Sequence, residues 1–217
     1  MTKQIKITTA SILFLAVVIF HIYGLLESET LAFFTKPFLT ITLVIIYLVS
    51  VKKPSFWYVS ALFFSFWGDV FLLFKEDFFL FGLASFLFAH ILYIKISADF
   101  LKKIKPHKIL LVSFPFVIIF IGLLWLLKDD LGDFLIPVIV YGITISSFGA
   151  ITLLNYVEEK RTENLWLFLG ALIFIISDSV LAINKFYEAR EMFEVVIMVT
   201  YIIAQYLICK ALIAKDS

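Results

Sequence analysis

The chain has few of the residues that cover the surface of a soluble protein. Of its 217 residues only 16% are charged and 63% are apolar, against about 25% charged and about 45–50% apolar in soluble domains. This composition excludes an ordinary soluble globular domain. The formal net charge is only +1, and no basic block contains interleaved aromatic residues, so nothing indicates nucleic-acid binding.

Cysteine is almost absent, since Cys209 is the single one. One cysteine cannot form an internal disulfide, and it excludes a CxxC metal or redox site. The chain also lacks the GxSxG, HExxH and phosphate-loop patterns of serine hydrolases, zinc proteases and nucleotide-driven proteins. We therefore predict neither a metal site nor a cofactor.

Long apolar runs fill most of the chain. A helix needs about 20 apolar residues to cross a bilayer, so eight crossings use about 160 residues and leave no room for a sizeable soluble domain. We predict a single all-α domain over residues 1–217, a polytopic membrane bundle of about eight transmembrane helices. The predicted spans are residues 8–26, 31–51, 56–74, 77–97, 109–127, 133–156, 164–184 and 193–213.

The basic residues predict how this bundle is oriented. No small-x-small cleavage pattern follows the first span, so we expect it to remain uncleaved. With the N-terminus in the cytoplasm, the inside segments contain 13 of the 18 Lys and Arg residues, including the cluster from Lys102 to Lys108. Because orientation follows Lys and Arg, both termini are predicted to be cytoplasmic. We expect a multi-pass membrane protein, in the plasma membrane if the host is bacterial.

The third and seventh predicted spans contain a similar short motif. Phe66–Leu72 resembles Ile175–Leu181, and the aspartates within them, Asp69 and Asp178, are 109 residues apart in the 217-residue chain. This spacing predicts a 4+4 duplication, which with an even number of spans per half gives a parallel repeat about an axis along the membrane normal. Two short motifs that share an aspartate also arise by chance, so both interpretations stay open.

Asp69 and Asp178 are acidic residues inside predicted spans. An acid at the centre of a spanning helix costs about 2.5–3.5 kcal/mol on insertion scales, so by default it faces the protein interior and has a role. Both lie roughly 20 Å from the cytoplasmic start of their spans, at about 1.5 Å per residue. Their equal depth favours a catalytic pair, and the alternative is a structural acid paired with a cation such as Lys36.

The fourth predicted span has a polar face. Its members are Gly82, Phe86, His90, Tyr93 and Ser97, at spacings of 4, 4, 3 and 4 residues, which place them on one side of a helix. His90 is a candidate proton carrier, a hydrogen-bonded partner of an aspartate, or a structural histidine. It lies about 10 Å nearer the cytoplasm than the aspartates. Direct contact with them therefore requires tilt, a linking water or a different helix boundary.

Several short motifs follow one another from about residue 30 onward. They are Lys36-Pro37, Gly68-Asp69, Leu72, Gly82, Phe86, Ala89-His90, Tyr93, Tyr141, Ser177-Asp178, Leu181-Ala182, Phe186, Tyr201 and Ala204-Gln205. In this order and at this spacing the chain resembles the lysoplasmalogenase-like integral membrane proteins, also called the YhhN family. The family fold is a bundle of about eight helices.

The resemblance implies hydrolysis of the vinyl ether bond of lysoplasmalogens, which releases a fatty aldehyde and glycerophosphocholine or glycerophosphoethanolamine. The expected partners are a lysophospholipid substrate and membrane lipids, while the true lipid and the oligomeric state stay open. The catalytic residues would be Asp69, Asp178 and His90. The substrate-binding residues would be Lys36, Tyr93, Tyr141, Ser177, Tyr201 and Gln205.

Two carboxyl groups suit this chemistry. Vinyl ether cleavage begins with protonation of a double-bond carbon, and a carboxylic acid is a good donor, while a second, ionised carboxylate stabilises the oxocarbenium ion and activates water. The main alternative is a proton- or cation-coupled transporter in which Asp69, Asp178 and His90 form an intramembrane relay. A third is a lipid-binding or structural membrane protein, in which the acids only hold helices together.

Overall fold

The computed structural model describes residues 2–101 and 106–216, which form eight α-helices and contain no β-strand. Short 3₁₀ turns over Leu72–Phe74 and Gly132–Phe134 precede the fourth and sixth helices. The all-α prediction is therefore confirmed. The helices are α1 Lys3–Glu27, α2 Glu29–Ser50, α3 Phe56–Phe71, α4 Lys75–Asp99, α5 Pro106–Leu127, α6 Leu135–Glu158, α7 Thr162–Phe186 and α8 Glu191–Asp216.

Seven helical segments of the described residues are long and apolar enough to cross a membrane, and one of them, Phe56–Asp99, contains both α3 and α4. This segment folds back on itself. The rings of Phe64 and Phe88 lie 5.3 Å apart, and Lys95 Nζ lies 5.3 Å from the centre of the Trp57 ring, so α3 and α4 run antiparallel. The chain is a polytopic membrane bundle, while the exact number of crossings stays a prediction.

The helices pack as four consecutive hairpins, α1 with α2, α3 with α4, α5 with α6 and α7 with α8. Contacts of α4 with α6, and of α8 with α1 and α2, join the first half of the chain to the second. Each half of the chain thus contains two consecutive hairpins. The 4+4 duplication itself stays a prediction. The acidic residues of α3 and α7 thus lie in corresponding hairpins.

Glycine allows α3 and α4 to approach each other closely. A Cβ atom added to Gly68 would lie 2.5 Å from the Phe86 ring, and one added to Gly82 would lie 2.8 Å from the Leu72 side chain. Small residues at helix interfaces allow this kind of packing in membranes. The Phe86 ring in turn packs against Phe174 of α7 and Tyr201 of α8, at centroid distances of 6.2 and 5.8 Å. This cluster joins the helices that carry the acidic residues.

The outer surface of the helices is largely apolar. Leu110, Leu111 and Ile136 are more than 70% exposed, which lipid accommodates and water does not. Of the predicted cytoplasmic cluster from Lys102 to Lys108, residues 102–105 lie outside the described residues. Lys108, at the start of α5, pairs with Glu158 at the end of α6 with an N···O distance of 2.6 Å.

Candidate acidic site within the helical bundle

Asp69 is held by helices on both sides of α3. The side chain is only 1% exposed, and its Oδ2 accepts hydrogen bonds from Thr40 Oγ1 of α2 at 2.6 Å and from Tyr201 Oη of α8 at 2.8 Å. Lys36, one helical turn before Thr40, interacts electrostatically with the same carboxyl group. Hydrogen bonds and a nearby cation offset the cost of burying a charge. Burial works against a charge on Asp69, and these three groups offset part of that cost.

Asp178 has different surroundings. It is half-buried on α7, and its Oδ2 accepts a hydrogen bond from the hydroxyl group of Tyr141 on α6. The Tyr141 hydroxyl oxygen lies 3.4 Å from Nδ1 of His90 on α4. The Tyr141 hydroxyl group thus lies between His90 and Asp178 and contacts both. The tertiary structure joins these three residues of α4, α6 and α7 in one series of polar contacts.

His90 is fully buried among aromatic rings. Its ring lies 4.6 Å from that of Phe174 and 5.6 Å from that of Tyr141, measured between centroids. Its second nitrogen, Nε2, has no hydrogen-bond partner within the described residues. The Tyr141 hydroxyl group is therefore the side-chain contact through which His90 connects to Asp178.

Gln205 extends the surroundings of Asp69 toward the middle of the bundle. Its Oε1 accepts a hydrogen bond from Tyr93 Oη at 2.9 Å, and its Nε2 donates to Ser65 Oγ at 3.1 Å and to Tyr201 Oη at 3.4 Å. Tyr201 in turn donates to Asp69. A continuous set of hydrogen bonds thus connects α3, α4 and α8 behind the carboxyl group and holds Tyr201 in position.

Both acids line one cavity of about 430 Å³ between α2, α3, α4, α7 and α8. Lys36 and Tyr201 line the same cavity. At its wall, Lys75 Nζ pairs with Glu194 at 2.6 Å, and Asn184 donates to the same carboxylate at 2.9 Å. We name this space the polar cavity. Within a largely apolar bundle it offers the two aspartates, three glutamates and four cationic side chains, those of Lys36, Lys75, Lys185 and Arg190.

The structure brings all nine predicted site residues into one region, in two layers. Five of them line the polar cavity, namely Lys36, Asp69, Ser177, Asp178 and Tyr201. The other four, His90, Tyr93, Tyr141 and Gln205, connect to these through polar contacts. The Ser177 hydroxyl group donates to the Ile197 backbone carbonyl at 3.0 Å, so it also joins α7 to α8. No group of three or more metal-ligating side chains occurs in the described part of the chain.

Two contributors to this region were not among the predicted site residues. Thr40 donates directly to Asp69, and Ser65 accepts from Gln205. Both have a signal in the sequence, because Thr40 follows Lys36 by one helical turn and Ser65 precedes Asp69 by one turn, and residues four apart share a helix face. Many polar residues in spanning helices satisfy that criterion, so spacing alone does not single these two out.

The bundle and its buried carboxyl groups define a polytopic membrane protein with an acidic site between its helices. The chain belongs to the YhhN family, whose family model matches residues 31–212. It is 35% identical over 141 residues to a pig protein named lysoplasmalogenase TMEM86B, which covers 65% of this chain and 56% of that protein. No solved structure matches the chain.

Mycobacterial relatives give a similar result. Proteins named lysoplasmalogenase from Mycobacterium bovis and Mycobacterium tuberculosis are each 31% identical over 157 residues, which cover 70% of this chain and 58% of theirs. The matched region therefore spans somewhat more than half the length of these relatives.

Proposed function

We propose that this protein hydrolyses the vinyl ether bond of lysoplasmalogens within the membrane. The observation that carries the proposal is that carboxyl groups from two different helices, Asp69 of α3 and Asp178 of α7, line one cavity together with Lys36. The names of the pig and mycobacterial relatives support the same reaction. The products are a fatty aldehyde and a glycerophosphodiester whose head group remains open.

The reaction begins when a carboxylic acid donates a proton to the double-bond carbon farther from the ether oxygen. The resulting oxocarbenium ion adds water at the carbon attached to oxygen, and that water loses a proton to the second carboxylate. The hemiacetal then loses its hydroxyl proton to the first carboxylate and breaks its bond between that carbon and the glycerol oxygen, which takes the proton of the second carboxyl group and leaves as the alcohol. One water is consumed, and the acid recovers its proton over the cycle.

The surroundings of the two acids suggest how these roles are divided. Thr40, Tyr201 and Lys36 favour an anionic Asp69, which suits a group that stabilises the cation and activates water. Asp178 accepts a hydrogen bond from Tyr141 at Oδ2, and its other oxygen, Oδ1, would carry the proton. We assign Asp178 as the acid and Asp69 as the carboxylate.

The other site residues have supporting roles in this proposal. Lys36 is the cation of the polar cavity wall that interacts with Asp69, and it would bind the phosphate of the substrate. Tyr141 and His90 position Asp178, while Tyr93 and Gln205 position Tyr201. Ser177 lies on the cavity wall, and its hydroxyl group donates to the Ile197 backbone carbonyl. It would therefore contact the substrate without donating a hydrogen bond to it.

The proposal is tested with purified protein in detergent, where turnover needs no sealed compartment. A lysolipid with a vinyl ether at the first glycerol position should release aldehyde, whereas its saturated alkyl ether should survive because it has no double bond to protonate. The two ligands have nearly the same shape, so the difference reports the chemistry. Slow proton transfer to carbon should also reduce turnover in deuterated water.

The outcomes separate the candidate functions. Comparable cleavage of the alkyl ether would contradict carbon protonation. If neither lipid is cleaved with any of several head groups, the result favours the proton- or cation-coupled transporter. Transport activity is measured in sealed vesicles with a gradient. Incorporation of labelled water oxygen into the aldehyde, measured before the aldehyde exchanges with solvent, supports the hemiacetal route.

A further inference from the structure

A second cavity adjoins the polar cavity and has an almost entirely apolar wall. It lies between α4, α5, α6 and α7 and measures about 60 Å³. Leucine and phenylalanine make up much of its lining, together with small residues on α6 and α7. We name this space the tail compartment. The residues used below to define it are Leu83, Phe120, Leu124, Gly142 and Ala182.

The two cavities meet at Asp178. Leu72, Phe79, Phe86 and Leu181 line both of them, and Asp178 is the carboxyl group that they share. Asp69, by contrast, lines the polar cavity and not the tail compartment. Asp178 therefore stands at the boundary between a space with charged groups and a space without them.

We propose that the tail compartment binds the hydrocarbon chain of the lipid substrate, with the glycerophosphate end in the polar cavity. This inference rests on the proposed function, because it places the two ends of that substrate. In a vinyl ether lipid the carbon that takes up the proton lies between the hydrocarbon chain and the glycerol oxygen. A proton donor at the boundary of the two cavities, as Asp178 is, meets that carbon only when the chain points into the apolar space.

Binding there gives the chain a role in orientation. Transfer of each methylene group from water to an apolar wall changes an equilibrium by about fourfold, so a chain held beside Asp178 aligns the double bond with the acid. Admission of the chain requires Phe120 and the leucines of the wall to rotate. Phe120 packs directly against α6, since a Cβ atom on Gly142 would lie 2.2 Å from its ring.

A lipid-facing groove between α2 and α3 is the competing location for the chain. It measures about 350 Å³, and its wall includes Ile41, Val44, Phe63 and Trp67. Thr40 also lines it and donates to Asp69. Neither carboxyl group lines this groove, whereas Asp178 lines the tail compartment directly. The geometry favours the tail compartment.

The first experiment changes the size of the tail compartment in both directions. Ala182→Phe fills it and Phe120→Ala enlarges it, while Ala98→Phe adds the same ring to the exposed surface of α4 as a control. The measured quantity is the ratio of kcat/KM for an 18-carbon over a 12-carbon vinyl ether lysolipid. Partition of the lipids into detergent is the same for every variant and cancels.

We expect Ala182→Phe to lower this ratio at least tenfold, Phe120→Ala to raise it severalfold, and Ala98→Phe to leave it at the wild-type value. If Ala182→Phe has wild-type thermal stability but loses kcat/KM equally for the 18-carbon and 12-carbon lipids, the inference is overturned. A misfolded Ala182→Phe protein leaves Phe120→Ala to decide the question by the same ratio.

The second experiment does not depend on turnover. A lysophosphatidylcholine with a diazirine at the end of its chain is photolysed with the protein in detergent, and labelled peptides are identified by mass spectrometry. Labels on α5 or α6 near Phe120, Leu124 and Gly142, competed by unmodified lysolipid, support the tail compartment even if no vinyl ether is cleaved. Competed labels on α2 and α3 near Ile41 and Phe63 would instead place the chain in the groove and overturn it.

Discussion

Asp69 on α3 and Asp178 on α7 lie in similar short sequence motifs, yet their neighbours differ. The carboxyl group of Asp69 accepts from Thr40 and Tyr201 and interacts with Lys36, whereas the hydrogen bond that Asp178 accepts within the described residues comes from Tyr141. Acid–base chemistry of this kind needs two carboxyl groups in different protonation states. Unequal surroundings favour different protonation states for the two carboxyl groups.

Removal of either carboxyl group should abolish most activity. Asp69→Asn and Asp178→Asn should each lower kcat/KM for vinyl ether cleavage by about 10²–10⁴-fold, because Asn keeps the size of the side chain but neither donates an acidic proton nor carries the charge. The rates are measured by aldehyde release. The matched control is Asp130→Asn, which changes an exposed acid in the connection between α5 and α6.

The interpretation requires that the variants fold. Asp69→Asn and Asp178→Asn should elute as the wild-type protein in detergent and keep its helical circular dichroism. Near-normal turnover in either folded variant would show that this aspartate is structural. Loss of activity in Asp130→Asn would point to a general effect of charge removal.

His90 should matter less than the aspartates, because it contacts Asp178 only through the Tyr141 hydroxyl group. We expect His90→Gln to reduce kcat by about tenfold, since indirect contacts that position an acid contribute less than proton transfer itself, and to leave KM nearly unchanged. Steady-state kinetics on the vinyl ether lysolipid measure both. A loss as large as that of Asp178→Asn would indicate that His90 transfers protons in the reaction.

At the scale of the helices, the site depends on how closely α7 and α8 approach. A Cβ atom on Gly170 would lie 2.8 Å from Ile208 Cγ1 and 3.1 Å from the Ala204 carbonyl oxygen. Ser177 donates to the Ile197 carbonyl farther along the same interface. This interface places Asp178 of α7 and Tyr201 of α8 on one cavity, so its geometry bears on the whole site.

A larger side chain at Gly170 should force the two helices apart. Gly170→Leu should destabilise the protein by about 1–3 kcal/mol, the usual effect of overpacking, and lower the melting temperature by several degrees. It should also reduce turnover, because α8 carries Tyr201 and Gln205. Thermal denaturation in detergent and aldehyde release are the two measurements.

Gly122 on α5 provides the control for this prediction. A Cβ atom there meets nothing within 4 Å, and leucine is a better helix former than glycine. Gly122→Leu should therefore leave the melting temperature unchanged or raise it slightly. Equal melting temperatures for wild-type and Gly170→Leu protein would contradict the tight α7–α8 interface.

For the whole molecule, the distribution of Lys and Arg predicts that both termini lie in the cytoplasm. Reporter fusions placed after Ser217 and within the loop near Lys105 should both read cytoplasmic. The expectation rests on 13 of the 18 basic residues falling in the inside segments. An external reading from either fusion would overturn the orientation. It would also place the acidic site in the opposite half of the bilayer.

The sequence by itself determined the class of fold and singled out two acids within it. Apolar runs of about 20 residues predict spanning helices, because in lipid a helix satisfies its own backbone hydrogen bonds. An acid within a spanning helix is costly, so Asp69 and Asp178 are candidate functional residues regardless of how the helices pack. These inferences need only local composition and spacing, which is why they are available without a structure.

Only the tertiary structure decided which side chains meet. The Tyr141 link between His90 and Asp178 joins three helices, and the contact of Thr40 with Asp69 joins two more. Periodicity indicates the face of a helix but not its partner, its rotation or its relative height. Those depend on side-chain packing between elements far apart in the chain, such as Phe86 of α4 against Tyr201 of α8. The unequal surroundings of the two aspartates arise from that packing, since their local sequence motifs are alike.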